Sequence, residues 1–300
     1  MRNNSPRFLW LFEILNFLIN YDRFFWLIGK FNSRGWIKSV FLAYPADYTY
    51  SRKYAYKFRI ESWKRSWKVR LTAFLRQNGK IVLMFSIFVE EQELLKEGNK
   101  EKLKELIGRV EKIRKLIRAD EKTFAGILPG LLMKRKMIEK SPEADITASI
   151  IIKAVELVKK EIGLNGKIPV VVLGWRGFIG RRVIHELKSI CDPNDIYTID
   201  LDGENKWPGR GNKIVLNVAR GDTIEVYLPM LREGDIILNE AYPPPGQDNL
   251  GRIKELGCEC FHIVGVEAFA FPRFPHGYKG GIPCCAAWTG NTTAIVKKLT

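Results

Sequence analysis

One stretch limits the folds open to this chain more than any other. Residues 168–173 (IPVVVL) form a short, wholly apolar run that leads straight into Gly174-Trp175-Arg176-Gly177-Phe178-Ile179-Gly180. An apolar run of that length suits a central parallel strand covered on both faces. Residues 181–190 follow with the spacing of an amphipathic helix. Strand, glycine turn and helix, in that order, form the context in which a glycine motif reads as a nucleotide site. Gly174 permits the tight turn, Gly177 lets the backbone approach a pyrophosphate, and Gly180 lets the helix pack close to the strand. The start of the helix then offers unbonded N–H groups and a positive dipole end to phosphates. The spacing is G-x-x-G-x-x-G rather than the dinucleotide G-x-G-x-x-G, so a tight strand–helix turn without a ligand is the competing reading.

A second strand over residues 195–199 ends on Asp200. An acid at that place accepts a hydrogen bond from the adenosine ribose and repels a 2′-phosphate, which favours NAD over NADP. Asp202 is an alternative for that role, while Arg176 and Arg181 are able to hold a phosphate. Residues 213–218, 235–239 and 260–264 are further β-like runs, and residues 223–232 have a helical pattern between two of them. Alternating β and α with short turns predicts an α/β fold, with a C-terminal doubly wound, parallel, Rossmann-like sheet. Ala219-Arg220 and Ala241-Tyr242 fall just past strand ends, where such sheets bind ligands; Ala219 and Arg220 read as cofactor-side residues and Tyr242 as a cleft residue.

Charge divides the chain in two. Residues 1–166 hold 33 Lys and Arg against 18 Asp and Glu, a net of +15, whereas residues 167–300 hold 16 against 15. The expected organisation is therefore a basic N-terminal α/β domain over 1–165, for substrate or partner, and a dinucleotide-binding domain over 166–300. A basic half prefers an anionic partner: nucleic acid, an anionic membrane surface or an acidic protein. Residues 52–80 concentrate this feature, with ten Lys or Arg, one acid (Glu61), and Tyr54, Tyr56, Phe58, Trp63 and Trp67 among them, Tyr50 standing just before. Cations with stacking rings suit single-stranded nucleic acid, and the same mixture suits an anionic membrane; a solvated face over core aromatics is the plainer alternative. Residues 24–31 (FFWLIGKF) read as a short buried strand, 80–90 as a strand, and 91–117 and 145–162 as helices.

The five cysteines, Cys191, Cys258, Cys260, Cys284 and Cys285, all lie in the second half. An odd number with one adjacent pair is a poor disulfide framework, so reduced thiols in a cytoplasm are expected. Zinc ligation lacks the C-x-x-C spacing and the completing histidines. Residues 2–27 are apolar and aromatic, but Glu13, Asp22 and Arg23 interrupt them before the ~18–20 residues a membrane span needs. Packing against the core comes first there, with interfacial binding as the alternative. Residues 280–288 (GGIPCCAAW) place two thiols where a helix begins, a position whose dipole stabilises a thiolate; small buried hydrophobes are the alternative for each.

In order and spacing, these segments resemble the long-chain acyl-(acyl-carrier-protein) reductases that form fatty aldehydes. The resemblance lies in residues 25–48, 78–95, 123–132 and 143–163, is best at VVVLGWRGFIGRRV (170–183), and continues through LNEAYPPP (238–245) and PCCAAW (283–288). It implies that Cys285, with Cys284 beside it, attacks an acyl thioester carried by acyl carrier protein or coenzyme A. A nicotinamide cofactor then releases the aldehyde by hydride transfer. It also implies NADP rather than NAD, and a cleft residue at Thr147 within Asp145-Ile146-Thr147-Ala148, where helix core is the equal alternative. An extended short-chain dehydrogenase is excluded, because no tyrosine after the glycine turn has a lysine four residues on. Two other classes stay in play. One is a Rossmann oxidoreductase with the layout of shikimate or methylene-tetrahydrofolate dehydrogenases, acting on a small molecule without a thiol. The other is a non-enzymatic binder of nucleic acid or a membrane surface, at the periphery of the membrane in the latter case, using residues 52–80.

Overall fold

The computed structural model describes residues 6–19, 22–45, 48–163, 168–200, 207–209, 212–219, 223–274, 278 and 280–300. The chain folds as two compact units. Unit 1 is Met1–Glu143 with Ala268–Trp288, and unit 2 is Ala144–Glu267 with Thr289–Thr300. The sequence reading places a single cut at 165/166, whereas the chain passes between the units three times. A helix does end at Glu161, just before that cut, but membership of a unit is decided by strand pairing made much later in the chain. The division sharpens the charge asymmetry: unit 1 has 32 basic against 15 acidic residues (net +17), and unit 2 has 17 against 18 (net −1).

The first part of unit 1 runs α1 (Pro6–Ile19), α2 (Asp22–Phe31), β1 (Ile37–Ala43), α3 (Tyr48–Tyr54), α4 (Lys57–Ser66), β2 (Arg70–Gln77), β3 (Lys80–Ser86), α5 (Glu91–Leu95), α6 (Lys100–Ile117), β4 (Glu121–Phe124) and α7 (Leu128–Lys134). Strands β1, β3 and β4 are mutually parallel, with β1 central, while β2 pairs antiparallel to β3. The β2–β3 hairpin turns on Asn78-Gly79, both with positive φ (48° and 73°), as a two-residue hairpin requires. Val40, Leu42, Leu83, Phe85 and Phe124 form one face of the sheet, packed with Phe12, Phe25, Leu103, Val110 and Leu128.

Residues 24–31 are helix α2, not the expected strand. Phe25 and Gly29, one turn apart, face the core, and a Cβ at Gly29 would stand 2.0 Å from the Leu116 carbonyl oxygen, so the helix rests directly on α6. Asp22, in its first turn, is bound by Arg109 (2.6 Å) and Lys112 (2.5 Å). The basic stretch 52–80 becomes the last three residues of α3, all of α4 and β2, and the first residue of β3. Its rings are divided: Tyr54 and Trp63 are buried, Trp67 packs against the core, and Phe58 is exposed. A continuous row of exposed stacking rings is therefore not what this segment presents.

Unit 2 contains α8 (Pro142–Glu161, from Ala144), β5 (Val170–Leu173), α9 (Phe178–Leu187), β6 (Ile196–Ile199), β7 (Ile214–Asn217), α10 (Ile224–Tyr227), β8 (Ile236–Asn239), α11 (Gln247–Glu255) and β9 (Glu259–Glu267). The chain then contributes β10 (Phe269–Phe271) and β11 (Gly281–Ile282) to unit 1, where β10 pairs antiparallel with β2. It returns to unit 2 as β12 (Ala294–Lys298), antiparallel to β9. Strands β6, β5, β7, β8 and β9 lie side by side in that order, all parallel. This is the doubly wound α/β arrangement expected from sequence. The chain winds outward from β5 to β6, then reverses across β5 to β7, so the switch point lies between β5 and β7. Every residue of β5, β7 and β8 is buried, in keeping with their apolar runs, which in β7 and β8 close on an asparagine. Val171, Leu173, Ile199, Val215 and Ile237 face a layer from α10 and α11 that includes Ile224, Tyr227, Leu250 and Ile253.

Candidate functional site

The glycine turn sits at the switch point. Gly174 follows β5 with φ +79°, a left-handed conformation that favours glycine, and a Cβ there would lie 2.7 Å from the Cβ of Ala219. The loop after β7 thus closes directly on the turn after β5. Gly180 allows the third close approach: a Cβ on it would stand 2.3 Å from the Gly174 carbonyl oxygen and 2.7 Å from the Trp175 Cα. At Gly177 the corresponding distance, to the same oxygen, is 3.0 Å. Gly174 and Gly180 thus stand where a Cβ would not fit, and Gly177 where one would be tight.

Helix α9 begins at Phe178, with Gly177 as its N-cap and no side chain capping it. The Gly177 N–H donates back to Gly174 O and the Arg181 N–H to Gly177 O. Asp200, at the end of β6, accepts the Arg176 backbone N–H through Oδ2 (3.2 Å), which brings the acid against the turn. The Arg176 side chain lies over the Trp175 ring, and Arg181 Nε donates to Arg176 O (2.9 Å), so two exposed guanidinium groups border the turn. Phe178 is covered by Arg182, which also pairs with Asp145 of α8 (2.7 Å). Ile179 is partly buried. Arg220 and Asp202 lie outside the described residues.

Past the turn, a polar row crosses the sheet at the carboxyl ends of its strands. Strand register aligns Leu173, Asn217, Asn239 and His262. Asn217 Nδ2 donates to Asn239 Oδ1 (2.8 Å), and Asn239 Nδ2 donates to Ala241 O (2.7 Å). His262 Nδ1 lies 2.9 Å from the Asn239 carbonyl oxygen. The Ala219 N–H donates to Asn217 Oδ1 (3.2 Å). Both asparagines are fully buried, so these bonds fix the loops after β7 and β8 that form the rim beside the glycine turn. Burial lowers the pKa of His262, which keeps it neutral near pH 7. Glu240 follows Asn239 directly; it is partly exposed, yet desolvation pushes its carboxyl up to about 7. Tyr242, two residues on, is also exposed.

Asn217, Asn239, His262 and Glu240 are not among the site residues expected from sequence. Asn217 and Asn239 each close an apolar run and Glu240 follows the second, whereas His262 lies inside β9 with apolar residues on both sides. Glu240 gives a testable pH effect. Its folded pKa lies above the ordinary 4.5, so the folded state holds a proton that the unfolded chain releases. Stability therefore falls as pH rises from about 4.5 to about 7 and is level above that range. Glu240→Gln is expected to remove this slope and to be the more stable protein above pH 7 by on the order of 2 kcal/mol. Melting midpoints of both proteins across that window check it.

The cysteine pair lies in unit 1, apart in the chain's organisation from the glycine turn in unit 2. Cys284–Ala286 is a single 3-10 turn, not the start of a helix, so the expected dipole stabilisation of a thiolate is not available there. Cys284 is buried and Cys285 partly exposed. Cys285 lies near the Tyr44 hydroxyl, whose pKa is raised mainly by burial and slightly by this thiol. Tyr44 donates to Glu91 (3.2 Å) and accepts the Ile127 N–H (3.1 Å). Trp288 is an anchor on β2: its backbone N–H donates to the Gln77 side chain (3.1 Å) and its ring N–H to Gln77 O (3.0 Å). Thr147 is buried on α8, its hydroxyl without a hydrogen-bond partner, so it is an interior position rather than the wall of an open cleft.

Unit 2 thus belongs to the class of doubly wound, Rossmann-like α/β folds, with a glycine cradle at the switch point. No family model matches the chain, and no curated protein does. Among solved structures it is similar to a protein described as a malic enzyme (malate oxidoreductase), at 14% identity and a TM-score of 0.40 over 76% of this chain. The chain spans 66% of that protein's length. It is also similar to the quinate dehydrogenase from Corynebacterium glutamicum in complex with NAD, at 11% identity and a TM-score of 0.34, covering 75% of this chain and 87% of the other. The assignment of the fold rests on this chain's own strand order and register.

Proposed function

We propose that the chain is a nicotinamide-nucleotide-dependent oxidoreductase that acts on a small molecule without a thiol intermediate. The observation that carries this reading is the cradle at the β5–β7 switch point, where a side chain at Gly174 or Gly180 would collide with Ala219 or with backbone and one at Gly177 would be tight. A pyrophosphate fits such a cradle: the backbone is bare, and a helix of ten residues begins at it. Asp200, held at the turn by the Arg176 N–H, is placed to accept a ribose hydroxyl and to disfavour a 2′-phosphate, so NAD is preferred to NADP. The bound nicotinamide supplies hydride chemistry. Asn217 and Asn239 keep the rim loops in place, and Glu240 holds or releases a proton close to neutral pH. The net +17 of unit 1 favours an anionic substrate, such as a cyclic or hydroxy acid.

Acyl-thioester reduction through Cys285 is the second reading, favoured by the partial exposure of that thiol beside Tyr44. One experiment separates the two. NAD-linked oxidation of a panel of cyclic and hydroxy acids is measured before and after alkylation of the thiols. Turnover of an acid at an unchanged rate after alkylation is expected. Loss of all activity, together with an acyl mass increment on Cys285 after incubation with an acyl thioester, would replace the first reading by the second.

A further inference from the structure

Helices α1 and α2 have well-anchored inner faces and bare apolar outer faces. On α1, Asn16 reads the Leu71 backbone in both directions, its Nδ2 donating to Leu71 O (2.9 Å) and its Oδ1 accepting the Leu71 N–H (2.7 Å), and Phe12 is in the core. Helix α2 is fixed by Phe25 and by the contact of Gly29 with α6. The outer faces carry Trp10, Ile14 and Phe17 at one-turn spacing on α1, and Trp26, Leu27 and Phe31 on α2, all exposed and most by half or more. Apolar and aromatic side chains gathered in this way mark a docking surface rather than scattered exposure. Part of residues 2–27 does pack on the core, as expected; the opposite face does not.

Charge decides what covers it. Arg23, Lys30 and Arg34 lie along the same outer side of α2 and its following turn, all exposed, with Lys30 over the Trp26 ring (4.3 Å). The acids of these helices are engaged elsewhere: Asp22 by Arg109 and Lys112, and Glu13 with Arg59 at 3.9 Å. Tryptophan and phenylalanine beside unopposed Lys and Arg match the headgroup region of an anionic bilayer. A second copy would bring another +17 unit against this one. Among the described residues, no helix is long and apolar enough to cross a membrane. We propose that the outer face of α1 and α2 is a peripheral docking surface for anionic lipid, with the helices lying in the plane of the interface.

The test is sedimentation of the full chain, without added nucleotide, with phosphatidylcholine vesicles lacking or containing phosphatidylserine. Binding to the phosphatidylserine vesicles is expected to exceed binding to phosphatidylcholine alone by at least about tenfold, as several surface cations imply. Trp10→Ser with Phe17→Ser, and separately Lys30→Glu with Arg34→Glu, are each expected to abolish that gain while leaving the melting midpoint unchanged. The substituted positions are exposed, so folding is spared. Failure of the folded wild type to bind phosphatidylserine vesicles, or equal binding by both double variants, overturns the proposal. So does a dimer in solution that Trp10→Ser with Phe17→Ser dissociates, since a second copy would then be the occupant. The readout needs no nucleotide, so its failure leaves the reading of the glycine turn standing.

Discussion

Gly180→Ala is expected to lower nicotinamide-nucleotide affinity by about tenfold to a hundredfold, or roughly 1.4–2.8 kcal/mol, and to destabilise the protein by about 2 kcal/mol. The added methyl would stand 2.3 Å from the Gly174 carbonyl oxygen and 2.7 Å from the Trp175 Cα. Both obstacles are backbone, so neither turns aside as a side-chain end would. Either α9 moves away from β5 or the turn opens, and each change spoils the cradle. Gly251→Ala is the control. Gly251 lies in α11 with nothing within 4 Å of its would-be Cβ, so alanine there should leave binding unchanged and raise stability by about 0.5–1 kcal/mol. Binding titrations and melting curves on the two variants give the comparison.

Lys213→Met is expected to cost about 3–5 kcal/mol of stability. Lys213 and Asp235 are almost wholly buried (1% and 0% side-chain exposure) and meet at 2.8 Å just before β7 and β8. Asp235 also accepts the Arg232 N–H (2.8 Å). Removing the lysine leaves a buried carboxylate without its cation, which is far more costly than losing a surface pair. The pair lies at the amino ends of the strands, opposite the glycine turn, so the loss should appear in chemical denaturation and not in nucleotide affinity at temperatures where the variant is folded. Lys213→Met combined with Asp235→Leu should recover most of the loss, because no charge then stays buried.

Local signals carried much of unit 2. The apolar run of β5, the glycine spacing and the pattern of α9 are contiguous, so each limits the next, and Asp200 follows from the distance to the second strand. Where contributions come from afar, the sequence was silent. Asn217, Asn239 and His262 stand 22 and 23 residues apart and become one row only through strand register. Separately, each is an ordinary polar residue in or at the end of a strand. Residues 24–31 are apolar enough for either a strand or a helix; the contact of Gly29 with α6, remote in sequence, decides for helix. The cysteine turn was misread because Pro283 and two small residues resemble a helix start, and the chain leaves the turn after Ala286. The Asn78-Gly79 hairpin was missed, although that pair favours a two-residue turn with both φ angles positive.

The most direct test of the account is calorimetric titration of the full chain with NADH and with NADPH. Saturable binding is expected, tighter for NADH because Asp200 stands at the turn, retained in Cys285→Ala and in Gly251→Ala, and lost or much weakened in Gly180→Ala. Absence of saturable binding to either nucleotide by the folded wild type, or equal binding by Gly180→Ala, would contradict it.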